Sequence, residues 1–421
     1  MKKLLTLTAI GTVLLCSNAS ASGFNLKEQS AAAQGNAFAG ATAGAEDISY
    51  SYFNPAGLTR HKGTKMSFGG TWIAPRSRAK RAVANEGTPL EQTSGYTGDI
   101  VHAAVAPNFY LSHQFNDRWT GGLSLNVPYG MITKYNDLWA GRFHGTLSKV
   151  TTVTVTPMIA YKATDKLSLG AGFQMQYIKA RLRNAVHYNP QNPAAEDKAS
   201  LEGDTFDMGY QLGALYELTP KTSFGIGYRS QIKHKLKGDI KFDGIMGSVL
   251  GMNQDIGARL TTPANLTIGA YHDINDKWSV MAEFGRTYWS SFEELRIIGD
   301  KGLNNVTEEK WKDTTFYAIG ASYQWDDQWK FRAGFAVDQS AVGQEYRTPR
   351  IPDSDRLWYA AGAEYKYNDK WTFNLGYTYI RAKKGKVKLN GSHEGDDTRG
   401  TLRADYENDI HILALSANYN F

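Results

Sequence analysis

Apolar and polar residues alternate along several stretches of the chain, with every second position apolar. One such stretch follows Lys370: the apolar positions are Trp371, Phe373, Leu375, Tyr377 and Tyr379, and the intervening positions are Thr372, Asn374, Gly376 and Thr378. The ranges 167–177 and 329–338 have the same pattern. A period of two predicts β-strands. Strands of ~10 residues with an apolar outer face and a polar inner face are typical of membrane-spanning barrels.

Short polar turn signals separate these stretches at a regular spacing. Their second residues are 117, 165, 220, 276, 327 and 369, so neighbouring turns are 42 to 56 residues apart. Each interval holds two strands, one short turn and one longer loop. The six turns join twelve strands, one strand over 65–74 precedes them, and one at the C-terminus follows them. The sequence therefore predicts an all-β fold, a 14-stranded antiparallel transmembrane β-barrel.

Aromatic residues separate this prediction from a soluble propeller, which has a similar repeat length. Four tryptophans each follow a turn directly: Trp119, Trp278, Trp329 and Trp371. This is the position expected for an aromatic girdle at the membrane–water boundary on the side of the short turns. The last strand ends on Phe421, a terminal aromatic that resembles the signal read by the outer-membrane barrel assembly machinery. These features predict a multi-pass barrel of the Gram-negative outer membrane, in contact with its lipid and lipopolysaccharide.

The first residues predict export. Lys2 and Lys3 precede an apolar run that ends before Ala19-Ser20-Ala21, the pattern of a signal peptide over residues 1–21. The only cysteine, Cys16, lies in this segment, so the exported chain has no thiol for a disulfide or a metal. The formal net charge of +6 is too scattered to indicate nucleic acid, and we expect no metal or other cofactor.

Residues 22–62 are rich in Ala and Gly and do not alternate, so we separate them from the barrel of residues 63–421. This segment is either a disordered periplasmic tail or a hatch that fills the lumen. Glycines at inward positions of the strands favour the hatch, because strand glycines often mark the close approach of another backbone. They are Gly122, Gly170, Gly172, Gly213, Gly225, Gly227, Gly334, Gly362 and Gly376.

Several ordered motifs resemble the FadL family of outer-membrane transporters for long-chain fatty acids and other hydrophobic compounds. They are Gly23-Phe24-Asn25-Leu26, Asn54-Pro55-Ala56, Trp311-Lys312-Asp313, the stretch 337–342 and the stretch 351–356. The resemblance implies a hatch that includes Phe24 and the Asn54-Pro55-Ala56 turn. It also implies a groove among the outer loops, a deeper pocket, and a gap beside a kinked third strand that releases ligand sideways into the membrane.

Candidate ligand-binding residues lie in an outer loop and in the lumen. The loop residues Ile245, Met246, Val249, Leu250 and Met252 are unusually apolar for an exposed segment, although a short helix there can simply pack on neighbouring loops. Lys312 is the cation that we expect to face a carboxylate, and Arg229 and Lys233 are weaker inward-facing candidates. A lumen salt bridge to Glu283 is the alternative for Lys312.

Two further expectations concern the wall. Pro128 lacks an amide donor and Gly130 weakens a strand, so the third strand is expected to break near them and form the lateral gap. The alternative is that the strand ends as it leaves the membrane. Lys179, Arg181 and Arg183 share the parity of Tyr177, so they point outward, where lipopolysaccharide phosphates lie, unless a bulge reverses the register.

The predicted function is uptake of long-chain fatty acids. Transport of aromatic or other hydrophobic hydrocarbons is the alternative within the same class, and a general diffusion porin is the alternative in another class. An enzyme is not expected: no G-x-S-x-G or H-E-x-x-H motif occurs, although a barrel lipase would need neither.

Overall fold

The computed structural model describes residues 23–189 and 195–421, so the predicted signal peptide lies outside the described residues. The first half of the sheet contains β1 (Thr64–Ala84), β2 (Gln92–Tyr96), β3 (Ala104–Gln114), β4 (Trp119–Asn126), β5 (Gly130–Lys134), β6 (Leu147–Lys162), β7 (Leu167–His187), β8 (Glu196–Thr219), β9 (Thr222–Arg229) and β10 (Ile232–Phe242).

The second half contains β11 (Gln254–Thr262), β12 (Asn265–Asp273), β13 (Trp278–Thr287), β14 (Glu294–Gly299), β15 (Asn304–Glu308), β16 (Thr314–Gln324), β17 (Trp329–Asp338), β18 (Arg356–Lys366), β19 (Trp371–Ala382), β20 (Gly385–Leu389) and β21 (Leu402–Asn420). Two short helices are present, α1 (Ala31–Gly35) and α2 (Ile245–Ser248). Four 3₁₀ turns cover Ile48–Tyr52, Pro55–Arg60, Trp289–Ser291 and Asp396–Thr398.

These 21 segments form one closed antiparallel sheet with 14 passes through the barrel. Seven passes consist of two segments each: β2 with β3, β4 with β5, β9 with β10, β11 with β12, β13 with β14, β15 with β16, and β19 with β20. The sheet closes where β1 pairs with β21, from Lys65 opposite Asn420 to Ala84 opposite Leu402. The prediction of a 14-stranded barrel is confirmed. None of the described helices is long and apolar enough to cross a membrane.

The short turns form as their sequences predict. At the first turn, Asn116 Oδ1 accepts hydrogen bonds from the amides of Arg118 and Trp119, at 2.9 and 3.0 Å. Asn275, Asp326 and Asn368 bond their own following amides in the same way. A side chain that satisfies two backbone donors favours a tight turn. This local chemistry explains why the hairpins begin and end at these residues.

The four tryptophans that follow turns lie on the outer surface near one rim. Each packs against a tyrosine of the adjacent strand, with ring centroids 4.5 to 4.7 Å apart: Trp119 on Tyr161, Trp278 on Tyr323, Trp329 on Tyr365 and Trp371 on Tyr419. Amphipathic rings at one level are typical of a membrane–water boundary. They mark the end of the barrel that carries the short turns.

Residues 23–62, which we call the N-terminal segment, lie against the inward side of the wall. The segment is almost entirely buried, including the polar residues Gln34, Asn36 and Asn54. Where the wall contacts the segment, many inward positions are glycines, and a Cβ at these positions would overlap the segment. This applies to Gly122, Gly170, Gly213, Gly225, Gly227, Gly334, Gly362 and Gly376. Gly172 is different, because a Cβ there would meet Thr156 and Met158 of the wall.

Candidate ligand cavity and its N-terminal closure

Phe24 is enclosed by aromatic rings at the upper end of the N-terminal segment. Its ring is 1% exposed and lies 4.8 Å from Trp289, 5.8 Å from Tyr129, 5.9 Å from Trp311 and 6.0 Å from Phe292, measured between centroids. Edge-on ring pairs at such distances are favourable beyond their buried area. The ring is therefore firmly held by its aromatic neighbours.

Gly23, the residue before Phe24, is fixed by a hydrogen bond and by close packing. The Gly23 amide donates to Asp353 Oδ2 at 3.1 Å, and Asp353 also pairs with Arg356. Gly23 has φ +65°, and a Cβ there would overlap the rings of Trp289 and Trp311, so the position requires glycine. The stretch 351–356, which supports the family resemblance, thus anchors the start of the N-terminal segment.

Next to Phe24 lies an apolar cavity that opens toward solvent. Its walls come from the inner faces of β5 to β8, β10, β11 and β14 and from two outer loops. The apolar lining residues are Phe24, Met131, Val150, Ala180, Leu182, Leu201, Leu236, Ile256, Ala258, Leu260, Phe292, Leu295, Ile297 and Ile351. An apolar lining of this composition suits a lipid-like ligand.

The lining includes one partly buried cation, Arg350, besides the exposed Lys237 of β10. Its Nη1 donates to Leu147 O at 3.1 Å and to Ser148 Oγ at 3.0 Å, and its Nη2 donates to Asn184 Oδ1 at 3.2 Å. Those are three hydrogen bonds from a group with five donors. In the described ranges no carboxylate lies within ion-pair distance of this guanidinium. A ligand carboxylate in the cavity would supply the missing negative charge.

Glu309 is the buried acid in the same lining. Its Oε2 accepts a hydrogen bond from Trp311 Nε1 at 2.8 Å. Burial raises the pKa of Glu309 to about 7, and burial lowers the pKa of Arg350 to about 10. Near neutral pH Arg350 is therefore charged, whereas Glu309 is close to half-protonated. The cavity thus has an apolar body, with Arg350 as a charged group and Glu309 as a titratable acid beside it.

The loop predicted to form a groove contains a shorter helix than its apolar spacing suggested. The helix covers Ile245–Ser248 only. Met246 is buried and Met252 packs beside it, in a cluster with Leu201 and Ile297 of the cavity wall. The side chains of Ile245, Val249 and Leu250 are 41%, 73% and 56% exposed. None of these five residues lines the cavity itself, so the loop presents a separate apolar surface above it.

The two cations chosen from sequence parity do not line the cavity. Lys312 is exposed, in the coil before β16, where strand parity no longer fixes its direction. Glu283, the alternative partner of Lys312, instead accepts hydrogen bonds from the amide and hydroxyl of Thr42. Lys312 as a carboxylate ligand is therefore not supported.

Arg229 does face inward, but its donors bind the wall and the N-terminal segment. They reach Gln211 Oε1 at 2.9 Å, Gln174 Oε1 at 2.5 Å and Tyr52 O at 3.4 Å, and the guanidinium lies over the Tyr52 ring. We therefore assign Arg229 a structural role rather than a ligand contact. Lys233 points outward because the parity of this pass reverses between Arg229 and Ile232.

The third pass is interrupted in the middle of the wall. It leaves the ladder after Asn126 and resumes at Gly130, where β5 rejoins β6, so the strand kinks rather than ends. The pairing of β3 with this pass stops at Phe109, so the residues of β3 before Phe109 have no strand partner on that side. Pro128 and Gly130 flank the resulting space.

The N-terminal segment fills this space. The Leu26 amide donates to Pro128 O at 2.8 Å, the Gly130 amide donates to Phe24 O at 2.9 Å, and Asn25 bridges to Tyr129. Gln29 Nε2 also donates to Val127 O at 2.8 Å. The residues that hold Phe24 beside the cavity are thus continuous with those that close the wall.

The Asn54-Pro55-Ala56 turn lies deeper, against β8. Asn54 Nδ2 donates to Thr42 O at 2.8 Å and to Ala214 O at 2.9 Å, while its Oδ1 accepts the Ala56 amide at 3.0 Å. One side chain thus caps its own turn and ties the segment to the barrel. This motif holds the body of the N-terminal segment rather than the end near the cavity.

Arg350, Glu309 and Trp289 were not identified from the sequence. Trp289 and Glu309 lie where a pass is interrupted, and Arg350 lies in the connection between β17 and β18, so none of the three lies in a segment with strand periodicity. The signal that was available is Arg350 between Pro349 and Ile351-Pro352, an apolar and rigid setting for a loop cation.

Comparison with known proteins gives one family over nearly the whole chain. The family described as "Outer membrane protein transport protein (OMPP1/FadL/TodX)" matches residues 12–421. A "Long-chain fatty acid transport protein" of Escherichia coli O6:H1 is 28% identical over 445 residues, covering 98% of this chain and 97% of that protein.

Solved structures share the fold. A Pseudomonas aeruginosa FadL homologue superposes with a TM-score of 0.88 at 26% identity, covering 95% of this chain and all of that one. The Ralstonia pickettii toluene transporter TbuX superposes with a TM-score of 0.69 at 18% identity, covering 92% of this chain and 97% of that chain.

Proposed function

Because this chain belongs to the outer membrane transport protein family that includes OMPP1, FadL and TodX, we propose that it takes up long-chain fatty acids. It is an outer-membrane β-barrel. The observation that carries the proposal is the apolar cavity with Arg350 in its lining, a partly buried cation with no ion pair among the described residues. An alkyl chain with one carboxylate has the matching chemistry.

The apolar part of the ligand supplies most of the affinity. Each buried CH₂ contributes about 0.8 kcal/mol, so ten contribute ~8 kcal/mol before the costs of binding. That gross value corresponds to roughly micromolar binding. The carboxylate adds orientation, because only the end of the ligand that reaches Arg350 finds a charged partner.

In this proposal the N-terminal segment is a movable hatch. Ligand in the cavity competes with the Phe24 ring for the aromatic enclosure, and displacement of Phe24 pulls on Asn25 and Leu26, which fill the interrupted third pass. Opening there connects the cavity with the membrane beside Pro128 and Gly130. Ligand then leaves sideways, and the body of the segment stays in place through Asn54.

A disulfide tests the movement. Asn25 and Tyr129 face each other across an antiparallel bridge, and the only native cysteine is in the predicted signal peptide. We expect the double variant Asn25→Cys/Tyr129→Cys to lose fatty-acid uptake when oxidised and to recover it after reduction. Each single variant is the control. Unchanged uptake by fully oxidised protein would exclude movement at this point.

Direct binding tests the substrate. Purified protein is titrated with a labelled long-chain fatty acid, with the alcohol of equal length and with toluene, for wild type, Arg350→Met and Lys312→Met. We expect Arg350→Met to weaken fatty-acid binding about 10- to 100-fold and to leave the alcohol unchanged, because a hydrogen bond to a charged group contributes ~1.5–3 kcal/mol. Lys312→Met should resemble wild type. Binding of toluene alone would favour a hydrocarbon substrate.

Two peripheral contacts complete the proposal. Phe421 is 68% exposed at the end of β21, which leaves its ring accessible to the barrel assembly machinery. The exposed residues Ile245, Val249 and Leu250 offer a first apolar surface for ligand at the cell exterior. Truncation of Phe421 is expected to lower assembly, and Val249→Ser is expected to slow uptake at low ligand concentration only.

A further inference from the structure

The outer half of the barrel carries a group of cations on its outward side. Lys233, Lys235 and Lys237 on β10 are exposed, whereas the alternate residues His234 and Leu236 are buried. Arg259 on β11 is also exposed, next to the buried Leu260. The four cations therefore project from the outer surface of two adjacent strands.

These cations lack acidic partners, unlike their neighbours. On β7, Lys179 and Arg181 both pair with Glu202 of β8. In contrast, for Lys233, Lys235, Lys237 and Arg259 the described residues include no carboxylate within ion-pair distance. Lys235 and Arg259 are direct cross-strand partners in the ladder between β10 and β11. Like charges directly opposite each other destabilise a sheet, so this pair calls for an external anion.

Apolar lipid-facing residues lie beside these cations. Lys237 lies opposite Asp204 in the backbone ladder between β10 and β8, without an ion pair, and the next two outward residues of β8 towards the membrane are Phe206 and Met208. Their side chains are 53% and 58% exposed. Lys233 and Lys235 therefore run alongside an apolar surface at the outer edge of the membrane. An amphiphilic anion fits this combination better than a soluble one.

We propose that Lys233, Lys235 and Arg259 bind a phosphate group of lipopolysaccharide, whose acyl chains lie on Phe206 and Met208. The cations lie beside and beyond the exposed apolar residues Phe206 and Met208, which is where the phosphates of an outer-leaflet lipid are expected. A phosphate between Lys235 and Arg259 removes the repulsion across the ladder and accepts charge-assisted hydrogen bonds from both. The site is on the lipid side of the wall, so it is independent of the fatty-acid cavity.

The test is retention of lipopolysaccharide by purified full-length protein, measured by native mass spectrometry and by titration with purified lipopolysaccharide in detergent. We expect Lys235→Ala/Arg259→Ala to bind about 30-fold more weakly than wild type, taking the usual contribution of one cation near an anionic membrane surface twice. The matched control is Lys221→Ala/Lys277→Ala, which removes two exposed cations at the periplasmic turns.

Three further arms sharpen the result. The conservative double variant Lys235→Arg/Arg259→Lys should bind as wild type does, and dephosphorylated lipopolysaccharide should bind wild type as weakly as phosphorylated lipopolysaccharide binds the alanine variant. Inorganic phosphate should not compete, because it lacks the acyl chains. Fatty-acid binding by the alanine variant should remain unchanged, which shows that it is folded. Equal retention by wild type and the alanine variant, or equal binding after dephosphorylation, would overturn the proposal.

Discussion

Truncation of Phe24 separates two roles that this ring can have. If the ring competes with the ligand, Phe24→Ala removes a competitor and the purified protein binds fatty acid more tightly. If the ring only lines the cavity, the same change removes ligand contacts and weakens binding. The structure favours competition, because Phe24 is 1% exposed and four aromatic rings already surround it.

The size of the effect follows from the burial of the ring. Truncation of a buried Phe to Ala costs roughly 3–5 kcal/mol. In the wild-type protein the ligand must offset part of this packing free energy when it displaces the ring. If that part is only ~1.4 kcal/mol, Phe24→Ala tightens binding about tenfold. Uptake should fall at the same time, because ligand binding no longer pulls on Asn25 and Leu26.

The assay pairs equilibrium binding of a fluorescent fatty acid with uptake by cells that lack their own transporter. Phe38→Ala is the matched control, because Phe38 is equally buried in the same segment but packs on Phe53 and Trp358, away from the cavity. It should lower stability without tightening binding. Weaker binding by Phe24→Ala, or undiminished uptake, would refute the competition mechanism.

Three further predictions concern pH, the hatch and the anchor of Phe24. The pKa of Glu309 is raised to about 7, so its carboxyl is neutral below and charged above that pH; fatty-acid affinity should fall between about pH 6 and pH 8 in wild type and stay level in Glu309→Gln. A side chain at Gly227 would overlap Phe53 O, so Gly227→Val should displace the N-terminal segment and produce steady ion conductance in planar bilayers, whereas Gly257→Val, whose Cβ meets only Leu236 O at 3.9 Å, should not. Asp353→Asn weakens the hold on the Gly23 amide, and limited proteolysis should then cut the N-terminal segment faster than in wild type.

Most of the strands and turns of the barrel wall could be predicted from the local sequence. Strand alternation and polar turns predicted 14 passes, because a side chain period of two and Asx-type turns are properties of a few adjacent residues. The inward glycines predicted close packing by the N-terminal segment for a similar reason: parity assigns them to the lumen, and only a neighbouring backbone needs that space. Eight of the nine glycines do face the segment, and Gly172 does not.

Only the tertiary structure determines which charged residues lie beside the cavity. Parity counting assigned Lys233 to the lumen, but it fails where a pass is interrupted, as between Arg229 and Ile232, and it says nothing about Lys312 in coil. Arg350 became the cavity cation because its loop folds inward over β6 and β7, a placement that depends on contacts between residues about 200 positions apart in the chain, such as Arg350 with Leu147 and Ser148. Periodicity describes neighbours along a strand, whereas a binding site depends on which loops pack together.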